Sequence, residues 1–108
     1  MGKAIVVLTT APDSRMAKKL AGLLLKRRLA ACVSIQSNFV SYYHWKGKIE
    51  RAREYFLLIK APAKNFSKID ALIAKNHPYQ TPEVLAVSVI RGSGKYLAWL
   101  QTSASAAT

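Results

Sequence analysis

A change of hydrophobic period near residue 13 constrains the fold of this chain more than any other feature. Residues 3–9, KAIVVLT, form a near-continuous β-branched apolar run, which is typical of a strand buried on both faces. Pro12-Asp13-Ser14 then supplies a strand breaker and helix-starting residues. From Ser14 to about Arg28 the apolar side chains follow helical spacing and the basic ones occupy the other side. The chain therefore begins with a buried strand and an amphipathic helix.

The rest of the chain repeats this alternation around a long hairpin. Residues 30–45 have strand character with a bend or bulge at Ser37-Asn38, and Lys46-Gly47 predicts a tight turn. Residues 48–60 form the return strand, whose first half is charged and whose second half is apolar. A second helix runs from Phe66 to near Asn76, where prolines stop it. Residues 84–90 then predict a fourth strand, and residues 95–101 a short helix.

This order, β-α-β-β-α-β, predicts an α+β, ferredoxin-like sandwich with a long β2-β3 hairpin, a short C-terminal helix and both main helices on one face of the sheet. The first and third strands are central in that topology, and these are the two strands with continuous apolar runs. We expect one domain over residues 1–108, with residues 102–108 forming a frayed tail.

The charge of the chain is strongly positive. Seventeen Lys and Arg against five Asp and Glu give +12, a balance that can mark non-specific contact with nucleic acid or an anionic surface. No apolar run approaches the roughly 20 residues of a membrane span, and no signal-peptide pattern opens the sequence. Cys32 is the only cysteine, which excludes an intrachain disulfide. We therefore expect a cytoplasmic protein without a transmembrane segment.

Five motifs occur together in this chain: TTAPD, LAACVSI, SYYHWKGKIE, HPYQTPEVLAV and YLAWL. Over residues 3–101 the sequence closely resembles the CutA family, named for divalent-cation tolerance. The resemblance implies a tight homotrimer in which the long hairpins extend onto neighbouring subunits. It also implies a role in tolerance of or response to copper and other divalent metal ions, with no enzymatic reaction attached to the fold.

The resemblance also implies metal ligands at three positions, which are here Thr9, Asn76 and His77. Only His77 keeps a good ligand for copper, because a hydroxyl and an amide are weak replacements for thiolate and imidazole. Cys32 is a candidate second ligand, or else a small buried hydrophobe. The alternative interpretation of His77 is structural: a histidine at the end of the second helix can donate to that helix's last carbonyls. Any Cu²⁺ site here is expected to be weak.

Aromatic residues cluster on the hairpin. They predict contacts in the trimer interface, although a stacking platform for a ligand is the other interpretation. With the loop after the second helix, the predicted interface and cleft residues are Tyr42, Tyr43, Trp45, Tyr55, Tyr79 and Glu83.

No catalytic set is recognisable. The order and spacing of Ser, His, Cys and Asp fit no triad, and Glu50 and Glu54 are expected in an exposed basic hairpin. We therefore predict a protein that binds rather than catalyses. Two alternatives are a regulatory trimer resembling the PII signalling proteins, with a small ligand between subunits, and a ligand-free trimeric scaffold for protein partners.

Overall fold

The strands from the two apolar runs lie side by side at the centre of a four-stranded antiparallel sheet. The computed structural model describes residues 3–105. Its elements are β1 (Ala4–Ala11), α1 (Ser14–Lys26), β2 (Cys32–Trp45), β3 (Lys48–Pro62), α2 (Phe66–Asn76), β4 (Leu85–Val89) and α3 (Gly94–Ser103), with a 3-10 turn, Ala63–Asn65, before α2. The sheet order is β2-β3-β1-β4, which confirms the predicted ferredoxin-like topology and its two central strands.

One face of the sheet is covered by α1 and α2. Alternate residues of β1 and β3 point to this face, as the pairing of Val7 with Ile59 and of Thr9 with Leu57 shows. The helices pack on them with Leu20, Leu24, Ile69 and Ile73, all fully buried. Both main helices therefore lie on one face, as predicted, and the hydrophobic core lies between them and the sheet.

The other alternate residues form what we call the open face of the sheet. Helix α3 packs at one end of the sheet, where the Gln101 amide donates to the Lys3 carbonyl and Asn65 donates to the Ala104 carbonyl. The apolar centre of the open face consists of Val6, Leu8, Phe56, Leu58, Leu85 and Val87. Leu85 and Val87 are 57% and 51% exposed. In the described part of the chain, neither main helix packs on this face.

The β2-β3 hairpin continues well beyond the sheet and gives the molecule a longest dimension of 45 Å. Its register shifts between Gln36 and Phe39, where Asn38 adopts a positive φ of 57°, so the predicted bulge is present. The turn at Lys46 and Gly47 has φ of 50° and 78°. Two consecutive left-handed residues are what a two-residue hairpin turn requires.

Several element boundaries differ by one or two residues from the sequence-based expectation. Helix α1 ends at Lys26 because Arg28 adopts a left-handed φ of 53° and the Leu29 N–H turns back to the Leu24 carbonyl. Strand β3 continues to Pro62 instead of stopping at residue 60. The C-terminal helix extends to Ser103 instead of ending near residue 101, and Ala104 is buried, whereas Thr102 and Ser105 are exposed. Residues 106–108 of the expected tail lie outside the described residues.

The helices are short. Helix α1 has 13 residues, α2 has 11 and α3 has 10. From residue 3 to residue 105, none of them has the length and hydropathy that a membrane crossing demands.

Candidate functional site

A cleft opens where the root of the hairpin meets the loop between α2 and β4; we call it the hairpin cleft. It has a volume of about 270 Å³ and is lined by Thr10, Ser41, Tyr43, Glu54, Tyr79, Thr81, Pro82 and Glu83. A smaller hollow of about 150 Å³ shares Tyr43, Tyr79 and Thr81 with it and is also lined by Trp45 and Gln80. The site is thus built from β1, the hairpin and the α2–β4 loop.

His77 lies at the start of this loop and both of its ring nitrogens have partners. It is only 8% exposed. Its Nε2 lies 2.6 Å from the Thr10 carbonyl oxygen, and its Nδ1 lies 3.2 Å from the Tyr79 backbone N–H. Because a carbonyl only accepts and an N–H only donates, the ring is the neutral tautomer protonated on Nε2. His77 therefore links the end of β1 to the loop.

His77 has a structural role, as one interpretation of the sequence predicted, but its ring has a different hydrogen-bond partner from the expected one. We expected its ring to donate to the last carbonyls of α2, and it donates instead to β1. The backbone N–H of His77 bonds the Ile73 carbonyl, and the Asn76 amide bonds the Leu72 carbonyl at 2.8 Å. Asn76, at an implied ligand position, is thus the last residue of α2, and its side-chain amide is bonded to the backbone of that helix.

Thr9, the other implied ligand position, faces the helix-covered core. Its side chain is fully buried, and its hydroxyl has no hydrogen-bond partner among the described residues. Leaving a buried hydroxyl unpaired is destabilising. The neighbouring residue, Thr10, points to the opposite face and lines the hairpin cleft.

Cys32 does not join His77 in one site. In the sheet, Cys32 lies opposite Lys60 and Lys60 lies opposite Val6, whereas His77 contacts Thr10. Val6 and Thr10 are four residues apart on β1, which corresponds to about 13 Å. The side chains of Cys32 and His77 therefore cannot share one ion within a chain. The Cys32 sulfur also lies 3.7 Å from the Lys60 ammonium, whose charge repels a metal ion. The structure therefore does not bring Cys32 beside His77 within one chain, and Cys32 as a metal ligand stays a prediction.

Glu54 is the main residue of the site that sequence reasoning missed. We expected it on an exposed, charged part of the hairpin, but it is only 5% exposed. Its Oε2 accepts a 2.7 Å hydrogen bond from the Tyr79 hydroxyl. Burial, and then this carboxylate, raise the pKa of the Tyr79 phenol well above its usual value, so Tyr79 remains a neutral donor. The sequence did contain a signal for this position. Glu54, Phe56 and Leu58 are alternate residues of one strand, so their side chains point to the same face of the sheet.

A second carboxylate, Glu83, lines the same cleft. Its pKa is raised, first by partial burial of the carboxyl and then by the negative charge of Glu54. The residue as a whole is exposed, so solvent screens part of this repulsion. Two of the five acids of a chain with seventeen basic residues therefore meet in one cleft.

The aromatic residues predicted for the interface and cleft separate into three groups. Tyr43, Trp45 and Tyr79 line the cleft and its hollow. Tyr42 is 69% exposed on the hairpin, where the Arg51 guanidinium donates to its hydroxyl and lies 5.9 Å from its ring. Tyr55 packs against the helix-covered core and does not line the cleft.

Within residues 3–105, no three His, Cys, Asp or Glu side chains are grouped closely enough to hold a metal ion. The cleft offers two carboxylates, and His77 contributes a ring whose nitrogens are already hydrogen-bonded. A high-affinity ion site would need further donors, because structural metal sites in proteins usually have four ligands.

Comparison with known proteins decides the family. The model of the family described as "CutA1 divalent ion tolerance protein" matches residues 5–103. The chain belongs to the CutA1 family. The divalent-cation tolerance protein CutA of Pectobacterium atrosepticum is 42% identical over 100 residues, which cover 93% of this chain and 91% of that protein.

Solved CutA structures have the same fold as this CutA1-family chain. CutA1 from Oryza sativa has a TM-score of 0.92 at 37% identity, covering 94% of each chain. The Archaeoglobus fulgidus protein has a TM-score of 0.91 at 32% identity and covers 94% of this chain and 98% of its own. That relative is described as a periplasmic divalent cation tolerance protein, so family membership does not by itself fix the compartment.

Proposed function

We propose that this CutA1-family chain acts in divalent-cation tolerance as a cytoplasmic homotrimer that binds the cation without catalysing a reaction, with Cu²⁺ the first candidate. The observation that carries this proposal is the hairpin cleft, which brings together Glu54 and Glu83 in a chain of net charge +12. The proposal has two parts, assembly and cation binding, and each is supported by different residues.

Assembly is supported by the open face of the sheet. A 108-residue chain buries a limited share of its surface, and between residues 3 and 105 neither main helix covers the apolar open face. Exposed Leu85 and Val87 lie beside Val6 and Leu8 on adjacent strands, so the apolar surface is continuous. Continuous apolar patches of this kind mark interaction surfaces. A second and third copy of the chain would cover it.

The hairpin supports the same conclusion. A two-stranded ribbon is only marginally stable alone, and its free edges tend to pair with another strand. Tyr42 and Ile49 are 69% and 73% exposed on this ribbon, and Trp45 is 40% exposed. In a trimer these side chains would anchor the hairpin on its neighbour.

Cation binding is supported by the charges of the cleft. Partial burial, and then the negative charge of Glu54, raise the pKa of Glu83, and a bound divalent cation would offset the charge of Glu54. Carboxylate oxygens are ligands for divalent ions, and Cu²⁺ forms the most stable complexes in the first-row divalent series. One chain offers only these two carboxylates, so donors from a neighbouring copy would complete the site.

His77 would take part only after losing a hydrogen bond. Its Nε2 carries the proton donated to the Thr10 carbonyl, and its Nδ1 accepts from the Tyr79 N–H. Coordination needs a free lone pair on one nitrogen, so copper competes with one of these bonds. This competition makes the proposed site weak.

The test is native mass spectrometry of the untagged protein with limiting Cu²⁺. The wild type is expected to be a trimer that retains discrete copper ions. Glu83→Gln is expected to retain fewer, because it removes a charged oxygen ligand. Glu50→Gln, which removes the same charge from an exposed hairpin position, is the matched control and is expected to retain the wild-type number.

Two further variants test the residues implied by the family resemblance. Thr9→Cys/Asn76→His installs the two donors that the resemblance implies in addition to His77 and is expected to increase copper retention. Cys32→Ser is expected to leave it unchanged, since Cys32 lies beside Lys60 at another part of the sheet. A trimer that retains no copper, or equal retention by wild type and Glu83→Gln, would contradict the proposed cation site.

The aromatic hollow favours a second candidate, a regulatory trimer with a small ligand. Tyr43, Trp45 and Tyr79 line about 150 Å³ of space that suits a planar group. However, Glu54 and Glu83 in the adjoining cleft would repel a polyphosphate. We therefore expect no thermal shift with a nucleoside triphosphate; a saturable increase in the unfolding temperature would favour this candidate over cation binding.

A further inference from the structure

The basic residues of the chain are concentrated on the outer surface of the helix layer. Nine of the seventeen Lys and Arg side chains lie there and all are exposed: Arg15, Lys18, Lys19, Lys26, Arg27, Arg28, Lys64, Lys68 and Lys75. Only two acids, Asp13 and Asp70, share this surface. Asp13 is occupied as the N-cap of α1, where its Oδ1 accepts from the Met16 N–H at 2.8 Å. The surface is therefore strongly positive.

Helix α1 arranges its charges in a line; we call this the basic line of α1. Residues 15, 19, 22 and 26 are spaced four, three and four apart, so they follow one edge of the helix. This edge lies opposite Ala17, Leu20 and Leu24, which are fully buried. From Arg15 to Lys26 the line is about 16 Å long. A nucleic-acid duplex presents about ten phosphate charges over that length.

Gly22 lies at the middle of the basic line. No heavy atom lies within 4 Å of the position that a Cβ would occupy there, so packing does not require a glycine. Glycine is among the least favourable residues in a helix interior. Its absence of a side chain leaves a gap between the side chains of Lys19 and Lys26, through which another backbone can approach the helix. A polyanion that lies along the line would use this gap.

We propose that the basic line of α1 and its C-terminal residues Arg27 and Arg28 bind double-stranded nucleic acid through its phosphates, without reading the bases. The aromatic side chains exposed on the hairpin and α3 are absent from this surface, so it has no platform for stacking single-stranded bases. The surface also lies opposite the open face, so the proposed trimer leaves it accessible.

A membrane surface fits these residues less well. An amphipathic helix binds an interface by inserting its apolar face, but the apolar face of α1 is buried in the core. Leu25, 43% exposed, is the one large apolar side chain of α1 among those exposed in the described residues. Binding through charge alone favours the polymer with the denser row of phosphates.

The test is fluorescence anisotropy of a labelled 20-base-pair DNA duplex of random sequence, titrated in a series of KCl concentrations without added metal. Five phosphate contacts, from Arg15, Lys19, Lys26, Arg27 and Arg28, predict a slope of about −4.5 for the logarithm of the association constant against the logarithm of salt concentration. Lys19→Gln/Lys26→Gln is expected to make this slope less steep by about 2. Because no metal is present, failure of the cation site does not affect the result.

Two further variants test whether duplex binding depends on the basic line itself or only on the net charge of the protein. Lys46→Gln/Lys48→Gln removes the same charge from the hairpin tip and is expected to leave the slope nearly unchanged. Gly22→Leu adds bulk without charge and is expected to weaken binding several-fold with the slope unchanged. Circular dichroism and native mass spectrometry of each variant show whether fold and assembly are retained.

Three results would overturn the proposal. The first is no duplex binding by the wild type at low salt. The second is a salt dependence that becomes less steep by the same amount in the helix and hairpin variants, which would show that binding depends only on the net charge of the protein. The third is tighter binding to vesicles containing anionic phospholipid than to the duplex at equal phosphate concentration, which would assign the surface to membranes.

Discussion

The two faces of the sheet differ although their strands are the same. On the helix-covered face, Val7, Leu57 and Ile59 are fully buried. On the open face, Leu58 is only partly buried, and Leu85 and Val87 are more than half exposed. Both faces are apolar, so the sequence pattern alone makes them look alike. The difference teaches that this fold completes one core within the chain, whereas the open face is the apolar surface that the proposed trimer would cover.

The largest expected effect comes from alanine substitution of two adjacent leucines, one on each face of the sheet, and is measured as the free energy of unfolding. Leu57→Ala should lower the free energy of unfolding by about 3 kcal/mol, because it leaves a cavity under the helices. Leu58→Ala removes the same atoms from the open face. Its effect is expected to depend on protein concentration, since in the proposed trimer the contacts that it loses would be made between copies. Urea denaturation at two or more protein concentrations measures both. Equal, concentration-independent losses would remove the distinction between the faces.

Thr9→Val tests the one buried polar group without a hydrogen-bond partner that the described residues place on the helix-covered face. The Thr9 hydroxyl is buried without a partner, and valine has nearly the same shape without the polar atom. We expect the variant to increase the free energy of unfolding by about 1 kcal/mol. Thr9→Ser is the control, because it keeps the hydroxyl and loses only the methyl group, and it should be destabilising. Thermal denaturation followed by circular dichroism checks both. A destabilised valine variant would mean that the hydroxyl has a partner.

Glu83→Gln has the smallest expected effect and tests the cleft at the edge of the open face. The folded-state pKa of Glu83 is raised, so the charged form destabilises the fold once the pH exceeds the ordinary pKa of about 4.5. The variant should therefore be more stable than wild type at pH 7, by about a few tenths of a kcal/mol after solvent screening. This gain should disappear below pH 4, where Glu83 is protonated in both states. Thermal unfolding temperatures at pH 7 and pH 3.5 measure it, and a gain independent of pH would contradict this origin.

Much of the fold follows from local pattern. The period of apolar residues predicts β1, α1 and the order of elements, and the bulge and turn at residues 38 and 46–47 have residues suited to left-handed backbone. The C-terminal boundary does not follow from pattern, because Ala104 is held by a tertiary bond from Asn65, 39 residues away. A small polar tail and a packed helix end have the same composition, and only the contact distinguishes them.

The site was less predictable than the fold. Tyr79 and Glu83 belong to a motif, but their partner Glu54 lies 25 residues before Tyr79 in a segment that reads as exposed and charged. Of the ligand positions implied by resemblance, Thr9 lies in the core, and Asn76 ends α2 with its amide bonded to the helix backbone. The local sequence pattern indicates which face of the sheet a side chain points to. The residue with which that side chain forms a hydrogen bond depends on where a distant loop packs.

The measurement that tests the central claim most directly is sedimentation equilibrium of the wild type and of Val87→Asp. Val87 pairs with Val6 at the centre of the open face, so a carboxylate there would be buried only if copies of the chain cover it. We predict a wild-type mass of about 36 kDa, three times the 11.9 kDa chain, and a folded monomer for the variant. A wild type that sediments as a monomer at all concentrations, or a variant that retains the wild-type assembly, would contradict the account.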